Sequence, residues 1–397
     1  MSVAPQILKA MENSSAIRKA FEAGIKLKKE FGNDNVYDFS LGNPDLEPPV
    51  EVKNAMKKLA ASDDIGTHGY MPNPGYDFAR AAMAKKVSEE QGISIEGKNV
   101  VMACGAAGGL NAVFKAILAP GDEIIVPSPF FAEYTHYCAN HGGKLVPAMT
   151  NEDFSLNLET IKKALSPKTA AVLINSPNNP TGKIYSKQDI QLLADALNEH
   201  AKKTGRKPYI IADEPYRAIV YGNKTVAPLF PVYDASIVVS SFAKNLSLPG
   251  ERIGYVAINP ACPEIEQLTA AVIFATRVLG YVNAPAFFQR VIAETWNAPV
   301  DFSSYLNRRN ALTKILDDAG IQYAEPEGAF YLFCKVPKSK SGSTDENEFC
   351  AQLEKYHILA VPGTGFGKKE WIRLAYCVSE KTIANSAEAF KAAVKSW

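Results

Sequence analysis

Between residues 98 and 260 the chain repeats one texture: short, unbroken apolar runs rich in Val, Ile and Ala, each closed by Gly, Pro, Asn or Asp. The runs are Val100–Cys104, Glu123–Val126, Lys144–Pro147, Ala170–Asn175, Tyr209–Ala212, Ser236–Ser240 and Gly254–Ile258. An unbroken run, unlike an alternating one, needs both of its faces covered. Helix-period segments such as Gly108–Leu118 and Lys187–Ala201 separate some of them. Strand, helix, strand in this rhythm predicts an α/β fold whose mostly parallel central sheet is covered by helices.

The flanks read differently. Ile17, Phe21 and Ile25 fall four apart, which predicts an amphipathic helix stopped at Phe31-Gly32-Asn33. The following YDFSLGNPDLEPP is extended and rich in turn residues. After residue 285 helical segments dominate, Ala284–Trp296 and Phe302–Ala319, followed by strands at Ala329–Val336, Ile358–Val361 and Trp371–Tyr376. A last helix is expected from a Ser379 N-cap along Ile383, Phe390 and Val394. The polar tract KSKSGSTDEN (338–347) reads as a mobile loop. A chain of 397 residues suits two domains. The expected division is a large domain over 48–300 and a smaller α+β domain built from 1–47 and 301–397.

The net charge of +1 offers no electrostatic case for nucleic acid or an anionic membrane. No apolar run approaches the roughly 18–20 residues of a membrane helix, and the N-terminal segment has no secretory pattern. The six cysteines stand singly, with no C-x-x-C, so no zinc or other metal site is expected and a reducing cytoplasm fits best.

Five clusters could carry chemistry. In SSFAKNLSLPGERIGY (240–255), Lys244 follows a strand end among small residues, with Ser241 three before it and Arg252 eight after. A nucleophilic lysine needs such a pocket rather than a solvated face. In IIADEPYR (210–217), Asp213 ends an apolar run, where ligands of open parallel sheets bind. It could be a metal ligand, a general base, a partner for a ring nitrogen, or simply a helix N-cap. NSPNNPTG (175–182) is first a turn, and secondly a place for the Asn179 amide to meet a ligand. ACGAAGGLNAVFKAI (103–117) leads a strand through glycines into a helix, which suits a phosphate or, equally, close helix packing. Arg373, in EWIRLAYC, requires an anionic partner, from the protein or from a substrate.

Taken together and in this order, the pieces resemble the class I/II aminotransferases, pyridoxal-phosphate enzymes of fold type I. The resemblance runs from SLGNPD, near residue 42, to the terminal helix. It implies a three-layer fold with pyridoxal 5'-phosphate as cofactor. Lys244 resembles the lysine that holds the cofactor covalently, and Asp213 the carboxylate that pairs with its ring nitrogen. Asn179 and Tyr216 resemble the residues that hydrogen-bond the ring's 3-oxygen. Ser241 and Arg252 resemble phosphate ligands, joined by the backbone of the glycine turn, Gly105, Ala106 and Ala107. That turn departs from many members, which carry hydroxyl or amide side chains where Ala106 and Ala107 stand. Phe131, in PSPFFAEY, resembles the aromatic that stacks on the ring. Tyr70 resembles the tyrosine that reaches the phosphate from the partner subunit. Arg373 resembles the clamp for the substrate α-carboxylate, with the Gly42 backbone beside it.

The implied activity moves an amino group from an amino acid to a 2-oxo acid in a ping-pong cycle, in a homodimer with shared active sites. The same residues would also serve a C–S β-lyase. Arg277, 25 residues after Arg252, resembles with a one-residue shift the partner-subunit arginine of dicarboxylate-specific relatives.

Overall fold

The structure is a computed structural model and describes residues 3–12 and 16–397. In chain order the strands are β1 (Tyr37–Asp38), β2 (Val100–Ala103), β3 (Glu123–Ser128), β4 (Lys144–Met149), β5 (Thr169–Asn175), β6 (Tyr209–Asp213), β7 (Ser236–Ser241), β8 (Gly254–Ile258), β9 (Tyr323–Ala324), β10 (Tyr331–Lys335), β11 (Ile358–Leu359), β12 (Val361–Pro362) and β13 (Trp371–Ala375).

Strands β2 to β8 form one seven-stranded sheet in the order β2-β8-β7-β6-β5-β3-β4. Only β8 runs antiparallel to its neighbours, β2 and β7; the other pairings are parallel. The unbroken runs are explained by helices on both faces. Val172, Ile174, Ile210, Ala212 and Val238 point into one core, against the helices Asp77–Gln91, Lys187–Thr204 and Ala286–Thr295. Their chain neighbours Ala171, Leu173, Ile211, Ile237 and Val239 point into the other, against Gly105–Ile117 and Ile265–Val278. Period-2 side chains with both faces dry are what a central parallel sheet demands. The architecture is the α/β, three-layer fold expected above.

A third core gathers Phe39 with the helices Ser303–Ala319, Glu346–Glu354 and Ala387–Ser396 and the strands β10 and β13. Here β12-β13-β10-β9 form an antiparallel sheet, and β1 pairs with β11. The segment Tyr216–Tyr221, far away in sequence, also packs into this core through Tyr216, Ile219 and Tyr221.

Several elements depart from expectation. The glycine-turn helix begins at Gly105 rather than Gly108, and Gly105 itself takes a left-handed φ of +70°, which favours glycine there. The C-terminal helix is two, Glu380–Asn385 and Ala387–Ser396. At the break, Ser386 is buried and its hydroxyl donates to the Ile383 carbonyl, competing with the helical ladder. Within the polar tract 338–347, Ser343 N donates to Ser339 Oγ at 2.8 Å, and Asp345 caps the next helix. A short helix, Pro5–Glu12, precedes the expected one, which spans Ala16–Phe31 and stops at Gly32; its Ile25 is 56% exposed rather than packed, and the Ile17 and Phe21 side chains lie outside those described.

Candidate active site

The carboxyl ends of β5, β6 and β7 place Asn175, Asp213 and Ser241 side by side at one edge of the sheet. Because β8 returns antiparallel, the loop between β7 and β8 begins and ends at that same edge, so it delivers Lys244 and Arg252 there. The N-terminus of the helix Gly105–Ile117 faces the same space. The third core supplies Gly42, Tyr331 and Arg373 from the opposite side. One cavity of about 310 Å³ is lined by all of these, with Ala106, Ala107, Phe131, Asn179 and Tyr216.

Asp213 is 6% exposed. Its Oδ2 accepts from the Tyr134 hydroxyl at 2.5 Å, while Oδ1 has no partner. Burial pushes its carboxyl up to about 7, and the Tyr134 hydrogen bond pulls the other way. No helix follows Asp213, so the N-cap reading falls away.

Lys244 Nζ donates to the Gly42 carbonyl at 2.7 Å. Burial lowers this amine to about 8; Cys377 opposes that, and Arg373 and Arg252 reinforce it. A Cβ at Gly42 would stand 2.6 Å from Cζ of Tyr331, so this close approach requires glycine.

Arg373 is 1% exposed and meets only neutral groups. Nη1 donates to Asn179 Oδ1 at 3.1 Å and Nη2 to the Ser40 carbonyl at 2.6 Å, while Nε has no partner. Tyr331 and Phe366 lie beneath the guanidinium at 4.7 and 4.8 Å. The sequence left two sources for its counter-charge; no carboxylate among the described residues pairs with it.

The NNPTG turn is held by Asn175, whose Oδ1 accepts from Asn179 N at 2.7 Å and whose Nδ2 donates to the Asp213 carbonyl at 2.8 Å. Tyr216 and Tyr331 share a hydroxyl hydrogen bond of 2.8 Å. Phe131 meets Tyr134 edge-on at 5.5 Å. No side chain caps the helix at Gly105, so its first N–H groups are open toward the cavity. Arg252 sits beside them: a Cβ on Gly105 would stand 2.9 Å from Arg252 Nη2.

Twelve of the fourteen residues singled out in the sequence line this cavity or, for Gly105, adjoin it. Tyr70 and Arg277 do not. Tyr70 is 92% exposed in a separate surface recess with Tyr281, and Arg277 stacks on Phe274 at 5.4 Å. Sequence reasoning missed Tyr134, Asn175 and Tyr331. Asn175 opens the quoted NSPNNPTG block and Tyr134 lies three after Phe131, so both had a local signal; Tyr331, 115 residues from Tyr216, had none.

The profile of the family described as aminotransferase class I and II matches residues 34–390. The chain belongs to this family. A probable aspartate/prephenate aminotransferase of Aquifex aeolicus is 32% identical over 378 residues, 91% of either chain. An amino transferase from Eubacterium rectale superimposes with a TM-score of 0.94 at 37% identity, covering 100% of this chain and 99% of the other. The Thermus thermophilus aspartate aminotransferase with maleate gives 0.87 at 28% identity, over 99% and 100%. This aminotransferase therefore uses pyridoxal 5'-phosphate with amino acid and 2-oxo acid substrates, and the relatives favour amino transfer over β-elimination. The cavity fits that cofactor. Its orphaned Asp213 Oδ1 suits a protonated ring nitrogen, and its open helix N-terminus beside Arg252 suits a phosphate.

Proposed function

We propose that this aminotransferase acts on dicarboxylic amino acids of the aspartate type, through the residues that converge on the cavity. The observation that carries the site reading is the pairing of two buried, incomplete groups: Asp213 with a free oxygen and Arg373 with no anion. When bound, pyridoxal phosphate supplies the electron sink for a carbanion at the amino acid's Cα. Asp213 holds the proton on the ring nitrogen, since an adjacent carboxylate favours the charged ring. Tyr216 and Asn179 would hold the ring's 3-oxygen, and Phe131 would cover the ring. Ser241, Arg252 and the backbone at Gly105, Ala106 and Ala107 receive the phosphate. Arg373 and the Gly42 backbone fix the α-carboxylate, which orients the Cα–H bond. Lys244 would take up the Cα proton as base and, as acid, deliver it to the carbon on the cofactor side of the amino nitrogen. An amine lowered to about 8 is close to working pH, where such transfer is efficient.

The same reading makes the enzyme a cytoplasmic homodimer with shared sites. It is supported by exposed Tyr70 and Ile65, by the exposed Phe274 and Val278 beside Arg277, and by six unpaired cysteines. Among the described residues, no helix is long and apolar enough to cross a membrane. The large and small domains fall at 48–300 and at 1–47 with 301–397. Support for aspartate-type substrates comes from the relatives' names and from Arg277, which has no carboxylate partner among the described residues.

A half-reaction screen tests the substrate class. Holoenzyme is mixed with single amino acids and the cofactor absorbance followed. Aspartate or glutamate should react faster than alanine. Arg277→Ala should lower kcat/KM for the dicarboxylates by about a hundredfold or more, with alanine nearly untouched. Equal losses on both substrates would remove Arg277 from specificity.

A further inference from the structure

Asp213 and Glu214 are consecutive, buried carboxylates that point to opposite faces of the sheet end. Asp213 faces the cavity; Glu214, 4% exposed, faces the helix Asp77–Gln91. The catalytic reading uses only the first. Behind the second lies a continuous polar ladder. Glu214 Oε1 accepts from Arg217 Nη1 at 2.9 Å. Arg217 Nη2 donates to the carbonyls of Glu90, at 2.9 Å, and Val226, at 3.1 Å. Glu90 Oε1 accepts from Lys86 Nζ at 2.6 Å. Two carboxylates and two cations leave the ladder neutral. The buried Tyr255 hydroxyl lies in the field of Glu90 and Glu214, beside Ser240.

The Glu214 main chain is held as tightly as its side chain. Its N–H donates to the Val239 carbonyl at 2.8 Å, and its carbonyl accepts from Ser240 Oγ at 2.9 Å. Arg217 N closes the turn back onto the same carbonyl at 3.3 Å. Residues 213 and 216 of this short turn face the cavity, and residues 214 and 217 bridge it from behind.

We propose that the Glu214–Arg217 pair is the positioning element for Asp213 and Tyr216, fastening the turn that carries both to the C-terminal end of the helix Asp77–Gln91. The inference rests on the roles proposed above for those two residues. Arg217 is suited to the task because its fork meets one carboxylate and two carbonyls at once, and because a cation at a helix C-terminus is favoured. Burial raises Glu214 to about 7, with Arg217 pulling it down and Glu90 pushing it up.

The test uses holoenzyme of Glu214→Gln and Arg217→Lys. Its readouts are cofactor Kd and the pH midpoint at which the visible absorbance of the bound cofactor titrates. A displaced Asp213 holds the ring proton less well, and an uncharged ring no longer repels a second proton nearby, so the midpoint rises. Glu214→Gln should raise Kd about tenfold and the midpoint by about one unit, with KM for the amino acid within about threefold. Arg217→Lys, which keeps the charge and loses the fork, should shift both the same way by less; it decides the matter if Glu214→Gln does not fold. Kd and midpoint unchanged in the folded variants, with only Tm lowered, would reduce the ladder to a stabilising contact. An Asp213→Asn control separates the two readings. If it leaves the midpoint and turnover as they were, the role of Asp213 fails; if it alone moves the midpoint, only the ladder fails.

Discussion

At the residue scale, Asp213 shows how a site can be arranged at the expense of the protein without its cofactor. Burial raises its carboxyl to about 7 from an ordinary 3.8. Between those values the folded protein keeps a proton that the unfolded chain releases, so stability is lost as pH rises through this window. A protonated ring nitrogen opposite Oδ1 restores the anion's balance. Asp213→Asn should therefore stabilise the cofactor-free protein at pH 8, by on the order of a few kcal/mol, with a raised Tm, and change its stability little near pH 4. Turnover should fall by about a hundredfold or more. Equal Tm effects at both pH values would contradict the argument. The residues that make this site were largely legible because each sits where a strand, a turn and a polar side chain coincide within a few positions. Tyr134 and Tyr331 were not. A tyrosine on a short helix and one within an apolar strand look like core until the fold brings their hydroxyls to Asp213 and Tyr216.

At the element scale, the strands were readable because dry faces on both sides leave unbroken apolar runs. The direction of β8 was not, since Gly254–Ile258 is equally apolar whichever way it runs. Yet that reversal carries Arg252 back to the helix N-terminus. The join is tight: a Cβ on Gly254 would stand 2.5 Å from the Ser240 carbonyl oxygen and 2.9 Å from the Gly105 carbonyl carbon. Both obstacles are backbone, which cannot rotate away. Gly254→Ala should cost about 1–3 kcal/mol of stability and weaken cofactor binding, because the strain falls on the phosphate end of the cavity. Calorimetry and a cofactor titration check the two parts; a loss of stability with unchanged Kd would show that the helix N-terminus does not move. The broken C-terminal helix was illegible for a different reason. Its apolar spacing continues through Ser386, and only the buried hydroxyl interrupts it.

At the scale of the whole molecule, the two sides of the cavity come from different cores, and large apolar groups stand exposed elsewhere on the surface. Ile65 and Tyr70 stand fully or almost fully in solvent at 103% and 92% exposure. In the dimer proposed above, Tyr70 completes the phosphate site of the other subunit. Mixing Lys244→Ala with Tyr70→Phe protein, each impaired alone, should then restore activity through hybrid dimers that contain one intact site. Activity no higher than the sum of the separate proteins, with subunit exchange verified, would assign Tyr70 to its own chain or to none. Only the family resemblance suggested such sharing, because by residue type and spacing a tyrosine that serves a neighbour looks like any exposed tyrosine.

Arg373 has a practical corollary for anyone handling the enzyme. A guanidinium this enclosed, with an amide, a carbonyl and two rings for company, draws its counter-ion from the medium. In the role proposed above, Arg373 would take the amino acid's carboxylate in exchange for any small anion of the medium. Acetate and formate, which present the same carboxylate, should then act as competitors rather than bystanders, and inhibition kinetics in each buffer checks this. A Michaelis constant for this enzyme is a property of the enzyme and its electrolyte together.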